Sequence, residues 1–355
     1  MLQVLLCVLL YYPALAVDPE TFMGVTEIIQ RWEYPVESHD VVTADGHVLE
    51  LVRIPHGRKA FFFADAGFDV FLASVRGSTH VKRHTSLPSN ESSYWEFSMD
   101  DFVNLDAPAF VDTALRIAGK SSLYYVGHSQ GVTIGLSLLA EYPSYQTKVK
   151  ALFGWGSIST GKYWNGIPGV LDQILPVLRP FIEMFNAASR EIAFGMPEFT
   201  KGVMEIFCSV PVIDWTCARF LMGASEAPLN ASRLPVYIAQ SPASTSSRNL
   251  VHWLQTFTHA DANCKFDYGQ LGNLVRYWQL TPPVYNYAKI ETPVYFFRGG
   301  VDQLANANET NALVRRFKRG VVQSVTEILS YGHVDFVIAL DAPEKLYYPM
   351  LDAET

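Results

Sequence analysis

The sequence has few charged side chains and no long basic run. Of its 355 residues 17% are charged, and the formal net charge is −8. This balance argues against nucleic acid as a partner, because binding to phosphates needs clustered Lys and Arg. The chain also lacks internal repeats and low-complexity tracts. Its length and its 49% of hydrophobic residues suit one large domain with a second one inserted.

Long apolar runs are absent after the N-terminus, so no later segment is predicted to span a bilayer. Residues 1–16, MLQVLLCVLLYYPALA, have no charged side chain, an apolar middle and an A-x-A signal at Ala14–Ala16. They predict a cleaved secretory signal peptide. A membrane anchor is the alternative, but it needs about 20 apolar residues, and this run is interrupted by Pro13 and followed by Asp18. Three N-x-S/T sequons are compatible with export: Asn90, Asn230 and Asn308.

Cysteine is scarce, with four in the chain, and Cys7 would leave with the signal peptide. Cys208 and Cys217 lie close together in the sequence. An oxidising compartment favours a disulfide between them, and two unlinked buried thiols are the alternative. No cluster of His and Cys surrounds them, so a zinc site is not expected. Cys264 would remain a free thiol.

A G-x-S-x-G pentapeptide, GHSQG, occupies Gly127–Gly131. The apolar run Leu123–Val126 precedes it, and Val132–Tyr142 follows with apolar residues at helical spacing. Strand, sharp turn and helix are the context of a nucleophile elbow, which holds its serine in a strained conformation. Crowding on both sides of the serine is expected to require glycine. A chance match is the alternative, but the flanking elements favour Ser129 as a nucleophile.

Strands alternate with helices over most of the chain. This order predicts an α/β fold with a mostly parallel central sheet flanked by helices. An antiparallel hairpin at 40–54 is predicted to open the domain. From 159 to 242 the pattern changes to helices and loops with wide apolar faces, as in an inserted helical cap, although ordinary core packing is the alternative for any single residue there. The predicted organisation is a signal peptide at 1–16, a core at 17–158 and 243–355, and a cap at 159–242.

A serine nucleophile needs a base, and the base needs an acid that orients it. On this fold the chain order is Ser, acid, His. His333 lies in a loop after the last predicted strand, and Asp302 directly follows the strand before it. The competing acids are Asp335, which begins a helix, and Asp267, which no strand precedes. The predicted triad is therefore Ser129, Asp302 and His333.

Seven segments, in order, resemble the acid lipase family, the gastric and lysosomal type of α/β-hydrolase. The resemblance covers nearly the whole chain after residue 16. It implies a secreted or lysosomal serine lipase or esterase that hydrolyses carboxylic ester bonds of triacylglycerol or sterol ester, with no metal or organic cofactor. The segments are VVTADGHVLELVRIPHGR, ADAGFDVFLASVRGSTH, WEFSMDDFVNLDAPA, YYVGHSQG, SPASTSSRNLVHW, RGGVDQLAN and YGHVDFVIALDAP.

The resemblance also implies residue roles. It gives Ser129 as the nucleophile, Asp302 as the acid and His333 as the base, and the backbone N–H of Gln130 as a donor of the oxyanion hole. The pair named above, Cys208 with Cys217, matches the family's short disulfide loop in the cap. The apolar cap is expected to make transient contact with a lipid surface.

One segment of the family pattern is missing. Between RIPHGR and ADAGFDV the family carries a central strand and an HGL loop that gives the second oxyanion donor. His56 and Gly57 belong to RIPHGR and do not replace that loop. The missing strand would lie between the strand ending near Val75 and the strand ending at Val126, so the sheet is expected to open there. Two alternatives to a working lipase stay open: an inactive lipase-like product, and a secreted serine peptidase on the same fold.

Overall fold

The computed structural model describes residues 18–55, 63, 66–164, 191–192, 227–241, 243–256 and 262–352. The predicted signal peptide, Cys208, Cys217 and most of the predicted cap lie outside these ranges. In the described ranges, no helix is long and apolar enough to cross a membrane.

Strands and helices alternate through the described ranges. The strands are β1 Glu37–Val42, β2 His47–Ile54, β3 Val70–Ser74, β4 Arg83–His84, β5 Leu123–His128, β6 Val149–Trp155, β7 Glu191–Ile192, β8 Thr245–Ser246, β9 Val294–Gly299 and β10 Val322–Ile328. The α-helices of four or more residues are α1 Val25–Arg31, α2 Ala107–Ala118, α3 Gln130–Glu141, α4 Leu234–Gln240, α5 Ser247–Thr256, α6 Gly269–Tyr277, α7 Ala307–Val314, α8 Asp335–Ile338 and α9 Tyr348–Asp352.

The first sheet is antiparallel. Strands β1 and β2 form the predicted hairpin, in register from Glu37 opposite Arg53 to Val42 opposite Val48. Strand β3 pairs with the other side of β2, and the short β4 pairs with the start of β2. The hairpin is therefore confirmed. It belongs to an antiparallel sheet that precedes the parallel sheet in the sequence.

The second sheet is the predicted parallel sheet, with strand order β10-β9-β6-β5. Helix α3 follows β5 and is buried from Val132 to Ala140. Strand β6 is buried at every position except Lys150. Because the strands are parallel, the loops that follow β5, β9 and β10 meet at one edge of the sheet. This edge is where a site built from Ser129, Asp302 and His333 would have to lie.

Within the described ranges, no strand pairing joins the two large sheets. Among the described strands, β3 is an edge of the first sheet and β5 an edge of the second, and no pairing links them. The sheet thus opens where the missing strand was predicted, so that expectation is confirmed. Side chains still meet across the opening: the rings of Phe68 and Tyr124 are 6.0 Å apart, and Phe71 packs in a cluster with Leu123. The strand that leads to Ser129 is consequently an edge strand.

Candidate active site

Ser129 lies at the junction of β5 and α3 and has φ 54° and ψ −120°. A positive φ is strained for a residue with a side chain, as expected at a nucleophile elbow. The backbone N–H of Ser129 donates a 3.0 Å hydrogen bond to the carbonyl of Trp155 at the end of β6. The elbow is therefore anchored to the interior strand of the sheet, away from the open edge.

Two glycines flank the serine, and only one of them is crowded. A Cβ on Gly127 would lie 2.7 Å from the Gly131 carbonyl carbon and from the Val132 nitrogen, which no side chain tolerates. A Cβ on Gly131 would meet no heavy atom within 4 Å. The expectation of crowding on both sides is therefore wrong at Gly131, because the first turn of α3 leaves that position uncovered.

The side chains of Ser129, His333 and Asp302 form a hydrogen-bonded chain. His333 Nε2 lies 2.8 Å from Ser129 Oγ, and His333 Nδ1 lies 2.9 Å from Asp302 Oδ2. A carboxylate can only accept, so Nδ1 carries the proton and Nε2 is free to accept from the serine hydroxyl. Both the imidazole and the carboxylate are buried. This is the geometry that a serine nucleophile and its base require.

The second oxygen of Asp302 is fixed by the loop that follows it. Asp302 Oδ1 accepts from the backbone N–H groups of Leu304 at 2.8 Å and Ala305 at 2.9 Å. Burial by itself would raise the pKa of Asp302, but the hydrogen bond and charge of His333, together with these N–H groups, lower the pKa below its usual range. Asp302 is thus a carboxylate held in one orientation toward the imidazole.

The two competing acids serve other contacts. Asp335 is fully buried at the start of α8, and its Oδ2 accepts from the Gly332 N–H at 2.6 Å, next to His333. Asp267 Oδ1 accepts from the Gly269 N–H and from Asn273 Nδ2 near α6. Asp335 thus shapes the turn that carries the imidazole of His333.

His128 has no role predicted from the sequence. The only local indication that it lies near the site is its position within GHSQG. Its Nε2–H donates a 2.6 Å hydrogen bond to the backbone carbonyl of His333, and the two rings are 4.9 Å apart. Burial and the nearby charge of His333 lower the pKa of His128 to about 4, against the opposing effects of the carbonyl of His333 and the charge of Asp302. His128 is therefore neutral at neutral pH and fixes the loop that carries His333.

Gln130 is the first residue of α3. The N–H groups in the first turn of a helix have no acceptor within the helix, and the positive end of the helix dipole favours a negative charge there. The side chain of Gln130 is held aside, since its Nε2 donates to Asn249 Oδ1 at 3.0 Å. Asn249 is itself buried on α5. His56 and Gly57, which belong to RIPHGR and do not replace the HGL loop, lie outside the described residues.

A buried glutamate joins helix α7, which follows the loop of Asp302, to the start of the predicted cap. Glu309 on α7 is fully buried, and its Oε1 accepts from the backbone N–H groups of Ser159 and Thr160, both at 2.7 Å. Asn306, which caps α7, donates from its side chain to the carbonyl of Tyr163. These contacts bridge about 150 residues of sequence, so no local pattern could have predicted them.

The three asparagines of the predicted glycosylation sites differ in exposure. Asn90 and Asn308 are exposed, whereas Asn230 is partly buried and accepts a hydrogen bond from the Ser232 hydroxyl at 2.7 Å. Cys264 is a buried free thiol. Within the described ranges, no three His, Cys, Asp or Glu side chains come together in a way that could hold a metal ion.

Solved structures resemble the fold at low identity. The chain matches protein PA2218 of Pseudomonas aeruginosa with a TM-score of 0.52 and 10% identity, covering 97% of each chain. It matches the lip1 protein of Acinetobacter baumannii AYE with a TM-score of 0.51 and 15% identity, covering 96% of this chain and 98% of that one. At these identities the likeness shows the fold alone.

Three lipases are similar over most of their length. Lipase lipl-1 of Caenorhabditis elegans is 33% identical, covering 94% of this chain and 92% of the relative. Gastric triacylglycerol lipase of Bos taurus and lysosomal acid lipase/cholesteryl ester hydrolase of Rattus norvegicus are each 32% identical, covering 94% of this chain and 91% of the relative. The three alignments run over 383, 371 and 377 positions, more than the 355 residues of this chain. Each relative therefore has residues without a counterpart here, as expected for a missing segment.

Two protein families match the sequence. The family described as "alpha/beta hydrolase fold" matches residues 59–339, and the "partial alpha/beta-hydrolase lipase region" matches residues 25–85. Together with the relatives above, these matches show that the chain belongs to the α/β-hydrolase family and, within it, to the gastric and lysosomal acid lipases.

Proposed function

We propose that this protein is a serine esterase that hydrolyses carboxylic ester bonds of lipids, with triacylglycerol or sterol ester as substrate. The observation that carries the proposal is the hydrogen-bonded chain Ser129–His333–Asp302, with distances of 2.8 and 2.9 Å. The relatives named for gastric triacylglycerol and for cholesteryl ester hydrolysis support the substrate class.

In the proposed mechanism, Ser129 Oγ attacks the acyl carbonyl while His333 Nε2 takes the hydroxyl proton. Asp302 keeps the proton on Nδ1 and stabilises the imidazolium that forms. The imidazolium then protonates the leaving alcohol, and an acyl-serine remains. Water, deprotonated by the same imidazole, releases the fatty acid and restores the hydroxyl. No step requires a metal or an organic cofactor.

The oxyanion that forms during the attack needs hydrogen-bond donors. The N–H of Gln130 is one donor in this proposal, because it lies at the start of α3 and next to the nucleophile in the chain. His128 contributes indirectly, by fixing the backbone of His333 at 2.6 Å. It is a positioning residue, since it contacts the base and not the substrate.

The remaining parts of the proposal concern export and the cap. Residues 1–16 are removed as a signal peptide, and the protein is secreted or delivered to lysosomes, as the names of the gastric and lysosomal relatives suggest. Cys208 and Cys217 form a disulfide in a cap that spans 159–242 and touches the lipid surface. Asn90, Asn230 and Asn308 carry glycans.

The test is a panel of p-nitrophenyl acyl esters of increasing chain length, assayed beside peptide substrates. The full chain should hydrolyse the esters and leave the peptides intact. Ser129→Ala should abolish turnover and labelling by a fluorophosphonate probe, and Asp302→Asn should lower turnover by about 10⁴-fold. Ser144→Ala, at an exposed serine beyond α3, is the matched control and should keep both.

Three results would contradict the proposal. Labelling that persists in Ser129→Ala would assign the nucleophile elsewhere. Cleavage of peptides in preference to esters would favour the peptidase. A folded chain that hydrolyses neither substrate class would favour the inactive lipase-like product.

A further inference from the structure

Helix α6 exposes an apolar face to solvent. Leu271, Leu274 and Val275 recur at helical spacing and lie on one side of the helix with Trp278, the residue that ends it. These side chains are 79%, 44%, 78% and 87% exposed, in that order. Scattered single apolar residues are normal on a protein surface, but a contiguous set of large ones marks an interaction site.

The polarity of α6 is the reverse of that of an ordinary surface helix. Asn273, on the opposite side, is only 1% exposed. Its side chain donates to Asp267 Oδ1 at 2.7 Å and to the carbonyl of Leu280 at 3.1 Å, and it accepts from the Tyr268 N–H at 2.9 Å. An amphipathic helix normally turns its apolar stripe to the core. Here the bonds of the buried amide fix the rotation, so the apolar stripe is held outward.

The end of α6 adds the largest side chain to this face. Trp278 has φ 59°, in the left-handed region that a residue with a side chain rarely adopts. The chain then continues through Leu280, which is 53% exposed. Tryptophan is enriched at boundaries between water and lipid, where its ring meets apolar matter and its N–H stays hydrated.

The charge that α6 itself carries fits a phosphate-bearing surface. Between Asp267 and Glu291 the sequence contains no acidic residue, and Arg276 is the charged side chain of α6. This is unusual in a chain whose net charge is −8. The guanidinium of Arg276 lies 4.1 Å from the centre of the Tyr268 ring, beside the apolar stripe. Cationic side chains next to an apolar helix face attract phospholipid headgroups.

We propose that the α6 face, formed by Leu271, Leu274, Val275, Trp278 and Leu280, docks on a phospholipid-coated surface. The proposal rests on the proposed function for its partner, because lipid esters are reached at such surfaces. In the sequence, this face lies outside the predicted cap at 159–242. It connects to the active site through α5, where Gln255 donates to the carbonyl of Asp267 and Asn249 holds Gln130.

A second copy of this chain is the other occupant to consider. In a two-fold symmetric pair the same surface meets itself, so the two Arg276 side chains, which carry the charge of α6, would enter one interface as like charges. The distribution of charge therefore favours a lipid surface over self-association.

The test measures binding to vesicles of phosphatidylcholine mixed with an anionic phospholipid. Ser129→Ala is present in all proteins, so that lipid is not consumed. Adding Leu271→Gln and Trp278→Gln should weaken partitioning into the vesicles by about tenfold or more. The matched control adds Val42→Gln and Trp32→Gln, which remove an aliphatic residue and a tryptophan that are each 57% exposed elsewhere. The control should bind like the parent protein.

A second readout does not depend on the double variant. Brominated phosphatidylcholine should quench part of the fluorescence of the parent protein and markedly less of that of Trp278→Phe. Equal partitioning of the two double variants, or equal quenching with and without Trp278, would overturn the proposal. So would self-association that disappears with Leu271→Gln and Trp278→Gln while vesicle binding persists. A failure of the proposed function would appear separately, as absent hydrolysis of soluble esters by the Ser129 protein.

Discussion

The two sides of the parallel sheet differ in how completely they are built. Strand β6 is buried at every position except Lys150, and β9 and β10 pair beside it. Strand β5 has one buried residue, Gly127, and Val126 is 42% exposed. The loops that carry Asp302 and His333 follow β9 and β10. The proposed acid and base thus lie on the complete side, while the proposed nucleophile follows the strand next to the predicted gap.

The hydrogen-bonded chain of Ser129, His333 and Asp302 depends on contacts with the complete side. The Ser129 N–H is bonded to Trp155 on β6, and the imidazole is bonded to Asp302 and, through its backbone, to His128. The family resemblance places the second oxyanion donor on the missing segment, at the open side. The split in the sheet should therefore reduce rate and stability while the triad stays assembled.

Restoring the missing strand should have the largest effect. Inserting the family's strand and HGL loop after Arg58 would give β3 and β5 a common neighbour and supply a second donor. We expect ester turnover to rise by about 10² to 10³, together with the midpoint of thermal unfolding. A scrambled insert of the same length is the control. Full lipase turnover by the chain without an insert would show that another group already supplies the donor.

Gly127 and Gly131 offer a test of the elbow itself. Gly127→Ala would force a Cβ to within 2.7 Å of backbone atoms, and we expect the free energy of unfolding to fall by about 3 kcal/mol. Gly131→Ala meets open space and should be neutral or stabilising by up to about 1 kcal/mol, as for alanine in a helix. Urea unfolding measures both. An equal decrease in the free energy of unfolding in both variants would mean that the turn is crowded at both glycines.

A matched pair of valines measures the difference between the two sides directly. Val294 on β9 is fully buried, whereas Val126 on β5 is 42% exposed. Val294→Ala should lower the free energy of unfolding by about 2 kcal/mol, and Val126→Ala should change it by no more than about 0.5 kcal/mol. A comparable loss in both would show that the open edge of β5 is covered in solution.

The smallest expected effect is the pH dependence that His128 contributes. Its pKa of about 4 in the folded protein is below the ordinary value of 6.5, so between these values the unfolded chain binds the extra proton. The free energy of unfolding should therefore fall as the pH decreases from 6.5 to about 4. The contribution is about 1.5 kcal/mol, because solvent screens the partly buried ring.

His128→Gln keeps a donor for the His333 carbonyl but does not titrate, so its stability should change less over this pH range. His128→Phe removes the donor as well and should also lower turnover. The measurement is urea unfolding at several pH values. Identical pH profiles for the parent and His128→Gln would contradict the assignment.

Local patterns predicted much of this molecule. A pentapeptide between an apolar run and a helical pattern located the elbow, and the strand and helix lie there at Leu123–His128 and Gln130–Glu141. Chain order selected Asp302 and His333 from many candidates, and the structure places the His333 imidazole between Ser129 and Asp302. The roles of these residues, of the cysteines and of the sequons stay predictions.

The features that were not predicted depend on contacts between residues that are far apart in the sequence. His128 and the carbonyl it bonds are separated by 205 residues, and Glu309 is about 150 residues from its donors. Helix α6 has an apolar stripe that a periodicity rule assigns to the core. Its outward rotation is set by the hydrogen bonds of Asn273, and a single helix pattern does not reveal them.

The burial of Glu309 and Thr310 limits when the predicted glycan could be attached to Asn308. Glu309 stands between Asn308 and Thr310 in a sequon, and both Glu309 and Thr310 are buried in the folded chain, where the Thr310 hydroxyl donates to the Asn306 carbonyl at 3.2 Å. The hydroxyl that defines the sequon is therefore out of reach of any enzyme once α7 has packed. The predicted glycan at Asn308 would therefore have to be added while the chain is still emerging, before Glu309 packs against Ser159 and Thr160.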